Sequence, residues 1–219
     1  PRTGLATEDD ENNWLDRGGE YVATRVAAEN LVFDYWRDRG LPAVAMCVAT
    51  TYGAGDYLPT PHGRLLSGVA NGTMPFYVRN IGSEVVGIRD AAQALVLAAD
   101  RGSPGQRYII AERFMTSTEV NHAACAATGI APPKRGIPRS LVFLAGGISE
   151  AVARLRGREN SRLTRQSVRL MYVMPAMDSS KARTELGWNP APAPEAIAEG
   201  ARWFRQRYVQ RRQRRAQQQ

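Results

Sequence analysis

The 219-residue chain has few of the residues that build metal centres, disulfide staples or lysine chemistry. Cysteine occurs twice, as Cys47 and Cys125, each in apolar or alanine-rich surroundings. The expectation is two buried free thiols, which fits a reducing cytoplasm. Histidine also occurs twice, as His62 and His122, with no second ligand-type cluster beside either, so no metal site is expected. No run of 18 apolar residues is present, which argues against a spanning helix, and no charged-then-apolar leader reads as a secretory signal. Only Lys134 and Lys181 of the 29 basic residues are lysine. Acid is missing from residues 202–219, which hold seven arginines. Taking those seven from the net charge of +8 leaves +1 for the rest, so the body is nearly neutral. A uniformly basic nucleic-acid face is not indicated, and a basic tail alone gives salt-sensitive, non-specific affinity. The chain opens on Pro1-Arg2-Thr3 without Met, and the expectation is a piece cut from something longer.

What is present follows an alternating helix and strand pattern. Residues 1–19 are polar and read as a surface loop, with Gly18-Gly19 breaking structure before the first helix. Residues 20–39 read as an amphipathic helix on the stripe Val22, Val26, Ala28, Leu31, Val32, Tyr35 and Trp36, stopped by Gly40 and Pro42. Ala43 to Ala49 is a short apolar run with the length of a strand buried on both faces of a parallel sheet. The loop Thr50-Thr51-Tyr52-Gly53-Ala54-Gly55-Asp56 follows, at the carboxyl end of that strand, where doubly wound sheets bind ligands. Its residues fit close approach by a cofactor or a plain glycine-rich turn. His62 falls in the next loop and reads as structural. A helix is expected over 64–71, strands at Phe76–Val78 and Glu84–Ile88, and a helix capped by Asp90 running to Ala99. A strand over 107–111, a helix from Ser117 to Thr128 and a Pro132-Pro133 linker come next. Residues 139–156 place Leu141, Leu144, Ala145, Ile148, Val152 and Leu155 on one stripe, weakened by Gly146-Gly147, with six arginines between 154 and 169. The first reading is a core-facing helix with a solvated arginine face; contact with a membrane surface is the second. A helix or turn over 164–174, a short capped helix after Asp178 stopped by Gly187, and a helix from Pro194 to Tyr208 complete the body. The tail 207–219 is expected to fray or be disordered.

In the first of these helices Tyr21 and Arg25 lie four residues apart, one turn from each other on one face. A cation beside a phenol favours the phenolate and makes the pair a proton donor and acceptor. The same spacing is common for surface residues.

Taken in order, several segments are recognisable. Residues 20–29 resemble the Tyr-x-x-x-Lys helix of the short-chain dehydrogenases. Residues 50–56 resemble the loop after the sixth strand of the extended branch. Val85 to Ala98 is similar to its V-x-D-x-A-x-A strand and helix. Asp178 to Pro190, with Ser180-Lys181-Ala182 and Leu186-Gly187-Trp188-Asn189-Pro190, is similar to its D-x-S-K-A-x-x-x-L-G-W-x-P segment. The chain thus resembles the NAD-dependent epimerase/dehydratase family over about residues 5–206, and most of all its dihydroflavonol-reductase and 3β-hydroxysteroid-dehydrogenase-like members.

The resemblance implies an α/β fold: the C-terminal part of a Rossmann-type doubly wound parallel sheet with a smaller, mostly helical substrate domain. Residues 1–56 would be the remaining part of the nucleotide-binding domain. Residues 57–206 would form the substrate domain, with some segments returning to the sheet. The implied cofactor is NAD or NADP, and the implied chemistry is hydride transfer to or from a carbonyl or secondary alcohol. Tyr21 would pass the proton and Arg25 would stand where the family has lysine, bonding the cofactor ribose. Ala49, Thr50 and Thr51 would border the nicotinamide. Two departures stand out. The Gly-x-x-Gly-x-x-Gly turn that holds the pyrophosphate is absent from this sequence. The family's Ser or Thr upstream of the tyrosine has only Thr3 and Thr7 as candidates here, both poor ones. A hydrophobic small-molecule substrate is expected from Phe76, Tyr77, Leu141, Phe143, Met171 and Met174. A nucleotide-sugar substrate and a non-catalytic binding or interaction module are the alternatives. A second copy can dock through the helix 20–39 face.

Overall fold

The structure, a computed structural model, describes residues 4–11, 18–156 and 164–218. Thr3, Asn12, Asn13, Arg158 and Arg162 of the sequence reading lie outside them. The chain runs α1 (Gly19–Arg39), β1 (Ala45–Val48), β2 (Thr50–Tyr52), α2 (Pro61–Ala70), β3 (Phe76–Val78), β4 (Gly82–Gly87), α3 (Ile88–Arg101), β5 (Arg107–Ile110) and β6 (Arg113–Thr116). It continues with α4 (Ser117–Thr128), β7 (Arg135–Ile137), α5 (Arg139–Leu155), α6 (Arg165–Met171), α7 (Ser180–Glu185) and α8 (Ala193–Ala216).

Residues 45–52 form one extended stretch that changes partner at Ala49. β1 pairs parallel with β5, Ala45 opposite Arg107 and Val48 opposite Ile110. β2 pairs parallel with β4, Thr50 opposite Val85 and Tyr52 opposite Gly87. The Ala49 N–H donates to the Ile110 carbonyl at 3.0 Å and so joins the two pairings. β6 runs antiparallel on the far side of β4, and β3 pairs parallel with β7 in a separate two-stranded sheet.

Side chains of β4 alternate between faces, and the core divides along that alternation. Val85 joins Leu66, Val69, Met115, Ala124, Ile197, Ala201 and Phe204, which gathers α2, α4 and α8 over one face. Val86 joins Ala91, Ala94, Tyr108, Ile110, Leu186 and Trp188, which gathers α3, β5 and α7 over the other. Each fully buried large side chain contributes about 1.5–3 kcal/mol. Trp188 is fully buried. Its indole N–H donates to the Asp90 carbonyl oxygen at 2.9 Å, and the Asp90 carboxylate accepts the Ala191 N–H at 3.1 Å. Asp90 is therefore a pin for the segment after α7, not the expected cap; Gly87 occupies the N-cap of α3.

The helix ends follow the local chemistry. Gly40, Gly129 and Gly187 adopt left-handed φ of 68°, the conformation glycine reaches without a Cβ penalty. Thr116 and Glu119 form a capping box on α4. Thr60 caps α2 through the Gly63 N–H, with Pro61 at its first turn, so His62 is helical and not in a loop.

Several expectations change. The α1 stripe is not a core stripe: Leu31, Val32 and Tyr35 are exposed, and Phe33 is the buried residue. β1 is not covered on both faces, because Cys47 and Val48 are exposed; only Cys125 is a buried thiol. The leading segment is more than a loop, since Ala6 bridges Met177 in parallel and the Glu8 carboxylate accepts the Ile109 N–H at 2.8 Å. α8 runs to Ala216, so the tail expected to fray from 207 is helical for most of its length. β6 and β7 are strands that the sequence reading does not contain.

Candidate active site

α1 rests on the start of β5. The Glu29 carboxylate pairs with Arg107, the Arg107 guanidinium lies 5.0 Å from the Phe33 ring centroid, and the Trp36 ring covers Gly105 so closely that a Cβ there would fall 2.5 Å from it. These contacts hold the C-terminal half of the helix. Its first turns are freer. Tyr21 is 64% exposed, and Arg25 places its guanidinium 5.4 Å from the ring centroid, over the ring. The predicted pair is brought together, through the ring face of the phenol. Thr24 donates its hydroxyl to the Glu20 carbonyl at 2.8 Å and takes no outward role. On the neighbouring side, Gln166 of α6 lies 3.5 Å from where a Cβ of Gly19 would be, two residues before Tyr21. Sequence reasoning misses both Gln166 and Arg107, because each contact joins segments far apart in the chain.

Ala49, Thr50 and Thr51 sit at the carboxyl end of β1, on the stretch that changes partner. Thr51 is exposed and Thr50 half-buried. This is the end of the parallel strands at which ligands enter doubly wound sheets. Gly53, which follows, is used for packing. A Cβ on Gly53 would fall 2.4 Å from Ile88 Cγ2, and a Cβ on Gly200 of α8 would fall 2.7 Å from the Gly53 carbonyl oxygen. At Gly53 the loop lets α8 and α3 approach the sheet. Asp56 is occupied by the backbone and hydroxyl of Thr60, at 3.0 Å each.

A groove of about 560 Å³ opens at the other end of the strands, lined by Glu8, Phe33, Asp34, Arg37, Gln106 and Lys181. It lies at the amino end of β5, away from Ala49–Thr51. Lys181 donates to Gln106 at 2.6 Å and lies 5.1 Å from the Tyr108 ring centroid. The Ser180 N–H and hydroxyl both reach the Asp178 carboxylate, at 2.8 and 2.5 Å. The Asp178–Pro190 segment is thus a structural clasp here. His62 meets the edge of Tyr52, with ring centroids 6.4 Å apart. Among the described residues no group of three or more His, Cys, Asp or Glu side chains converges on a metal-sized site.

The chain is 29% identical over 194 residues to sterol demethylase protein B of Methylococcus capsulatus, which covers 88% of this chain and 58% of that protein. It is 28% identical over 182 residues to a putative dihydroflavonol 4-reductase of Synechocystis, covering 78% of this chain and 52% of that one. The crystal structure of gox2253 superposes with a TM-score of 0.77 at 30% identity, over 94% of this chain and 62% of that one. Homologues and structural neighbours of this chain are NAD-dependent epimerase/dehydratase-family proteins. Its fold is Rossmann-type α/β. The fold extends to UDP-glucuronic acid 4-epimerase from Bacillus cereus, solved in complex with NAD, with a TM-score of 0.67 at 16% identity over 95% of this chain and 58% of that one. The chain spans 58% and 52% of the two curated family relatives. No family model matches the chain.

Proposed function

We propose that this chain is the acid/base and substrate-side part of an NAD(P)-dependent oxidoreductase acting on a hydrophobic secondary alcohol or ketone. The observation that carries the reading is the Tyr21–Arg25 pair on the exposed first turns of α1. The named relatives, a sterol demethylase protein and a putative dihydroflavonol reductase, support the hydrophobic substrate. A nicotinamide cofactor would supply the hydride acceptor or donor when bound. The residues present suit its nicotinamide end: Thr50 and Thr51 offer hydroxyls at the carboxyl end of the parallel strands, next to Ala49. No glycine-rich phosphate turn occurs in the sequence, so no residue of this chain is assigned to the pyrophosphate. We assign that role to a dinucleotide-binding half in a longer native polypeptide, whose strands would continue the sheet at the open edge of β1.

In this reading Tyr21 takes the proton from the substrate hydroxyl during oxidation and returns it to the carbonyl oxygen during reduction. Arg25 holds positive charge within a turn of the phenol, with its guanidinium over the ring face. Arginine keeps the charge of the family's lysine without its compact ammonium, so the exchange alters geometry more than charge.

The test is turnover of apolar secondary alcohols with NAD or NADP by the native polypeptide. Tyr21→Phe is expected to lower kcat about 10²–10⁴-fold, and Arg25→Lys to keep or raise it. Full activity in Tyr21→Phe removes Tyr21 from the mechanism, and turnover confined to nucleotide-sugars removes the substrate class. A second reading, a non-catalytic binding module, is favoured by Arg25 lying over the ring face. It predicts no turnover in either variant or in the parent.

A further inference from the structure

The apolar stripe of α5 faces outward. Leu141, Leu144, Ile148, Val152 and Leu155 recur at three- and four-residue spacing and are 38–87% exposed. The core-facing expectation for this helix is overturned. Its narrow inner side is Val142 and Gly146. A Cβ on Gly146 would lie 3.2 Å from the Thr164 and Arg165 backbone, so the glycine lets the start of α6 pack directly against α5. Among the described residues nothing covers the outer stripe.

Cations lie around the helix that carries it. Arg154 in the last turn of α5, Arg156 at its C-cap, Arg139 at its first residue and Arg165 and Arg169 on α6 are all exposed. Arg139 lies over the Tyr172 ring at 4.8 Å, and Arg165 and Arg169 lie over Phe143 at 5.4 and 5.8 Å. The single acid of α5, Glu150, is turned inward, where it accepts the Arg165 N–H at 2.8 Å. No helix among the described residues is long and apolar enough to cross a membrane. α5, with 17 residues, is about 25 Å long and has the apolar stripe, basic flanks and scarcity of acid of a helix that lies in a bilayer interface.

We infer that α5 docks this protein on an anionic lipid bilayer, its stripe among the acyl chains and its arginines on the headgroup phosphates. A second copy is the weaker occupant, because a two-fold contact through this stripe would bring two sets of arginines together. Anionic headgroups complement those arginines instead. α6, which packs on the inner side of α5, also meets the start of α1, where Gln166 lies against Gly19 just before Tyr21. Docking does not depend on catalysis and holds for an active or inactive chain.

The test is flotation of the full chain with phosphatidylglycerol–phosphatidylcholine vesicles and with pure phosphatidylcholine vesicles. Binding is expected with the anionic vesicles and is expected to weaken with salt. The double variant Leu144→Ser, Ile148→Ser is expected to lower partitioning by at least about tenfold. Arg154→Gln and Arg156→Gln are each expected to lower it about fivefold at low salt. All four side chains are exposed, so circular dichroism and melting should match the parent; the single variant Leu155→Gln is read in the same way should the double variant misfold. Deleting residues 209–219 is expected to leave binding in place. Equal binding to both vesicle types, parent-like binding by the stripe variants, or loss of binding only on tail deletion overturns the proposal. So does a dimer in solution that the stripe variants convert to monomer while no vesicle binding is seen.

Discussion

Two glutamates behave in opposite ways. Glu84 is buried, and its carboxylate accepts the Met177 N–H at 2.9 Å. Burial pushes its carboxyl above the usual range, the Met177 bond opposes this, and the charge of Glu112 adds to it. The folded state therefore holds the Glu84 proton more tightly than the unfolded chain does. Its contribution to stability is full below the unfolded glutamate value of about 4.3 and is lost as pH rises through the raised folded value. Glu84→Gln keeps an acceptor for Met177 and removes the buried charge. It should raise Tm at neutral pH and leave it unchanged in acid, as read by thermal melts across pH. At Glu112 burial also pushes the carboxyl up, but the two Arg113 bonds at 2.7 and 3.0 Å and the Ala193 N–H at 3.0 Å outweigh it. The net shift is downward, so the stability it contributes is present above the usual glutamate range and is lost as pH falls through the lowered folded value. Glu112→Gln should cost about 1–2 kcal/mol at neutral pH, seen as a lower urea midpoint. A charge in front of the Val85-Val86 run was visible in the sequence. Its partner 93 residues away was not.

Elements were legible wherever local chemistry decides them. The αL glycines and the helix from Ser117 to Thr128 are set within a few residues. β6 and β7, of four and three residues, are too short to show a period and exist through long-range pairing. The α5 stripe was legible as a stripe, but periodicity says which residues share a face and not what that face meets. α1 shows the reverse: many apolar residues are present, and Phe33 is buried because it meets Arg107 of β5. The site was legible as the Tyr21–Arg25 spacing, whereas its neighbour Gln166 comes from an element far along the chain. The contact between α8 and the end of β2 is a tight element-level fit. Gly200→Ala places a methyl 2.7 Å from the Gly53 carbonyl oxygen. That overpacking should cost about 1–3 kcal/mol, measured by urea unfolding, and more than the same change at exposed Gly4, where nothing lies within 4 Å.

At the scale of the molecule, the two core clusters share one strand, β4, and α8 closes the first of them with residues that end at Phe204. The arginine-rich turns after Tyr208 bury nothing. Deleting residues 209–219 should leave the unfolding free energy within about 0.5 kcal/mol, while reducing salt-dependent retention on a polyanion column by removing four of the seven arginines after residue 201. The fold is therefore separable from its basic end.

The change of partner at Ala49 leaves a readable trace in the backbone amides of β1. Those of Ala45 and Ala49 donate to Gln106 and Ile110, and by alternation Cys47 faces β5 as well. Met46 and Val48 face the other edge, where no strand pairs among the described residues. In deuterated water those two amides should exchange within the dead time, while Cys47 and Ala49 retain protium far longer. Any polypeptide strand that settles on this edge would slow Met46 and Val48 and leave their neighbours unchanged. Two amides thus serve as a gauge of whether the sheet has found its continuation.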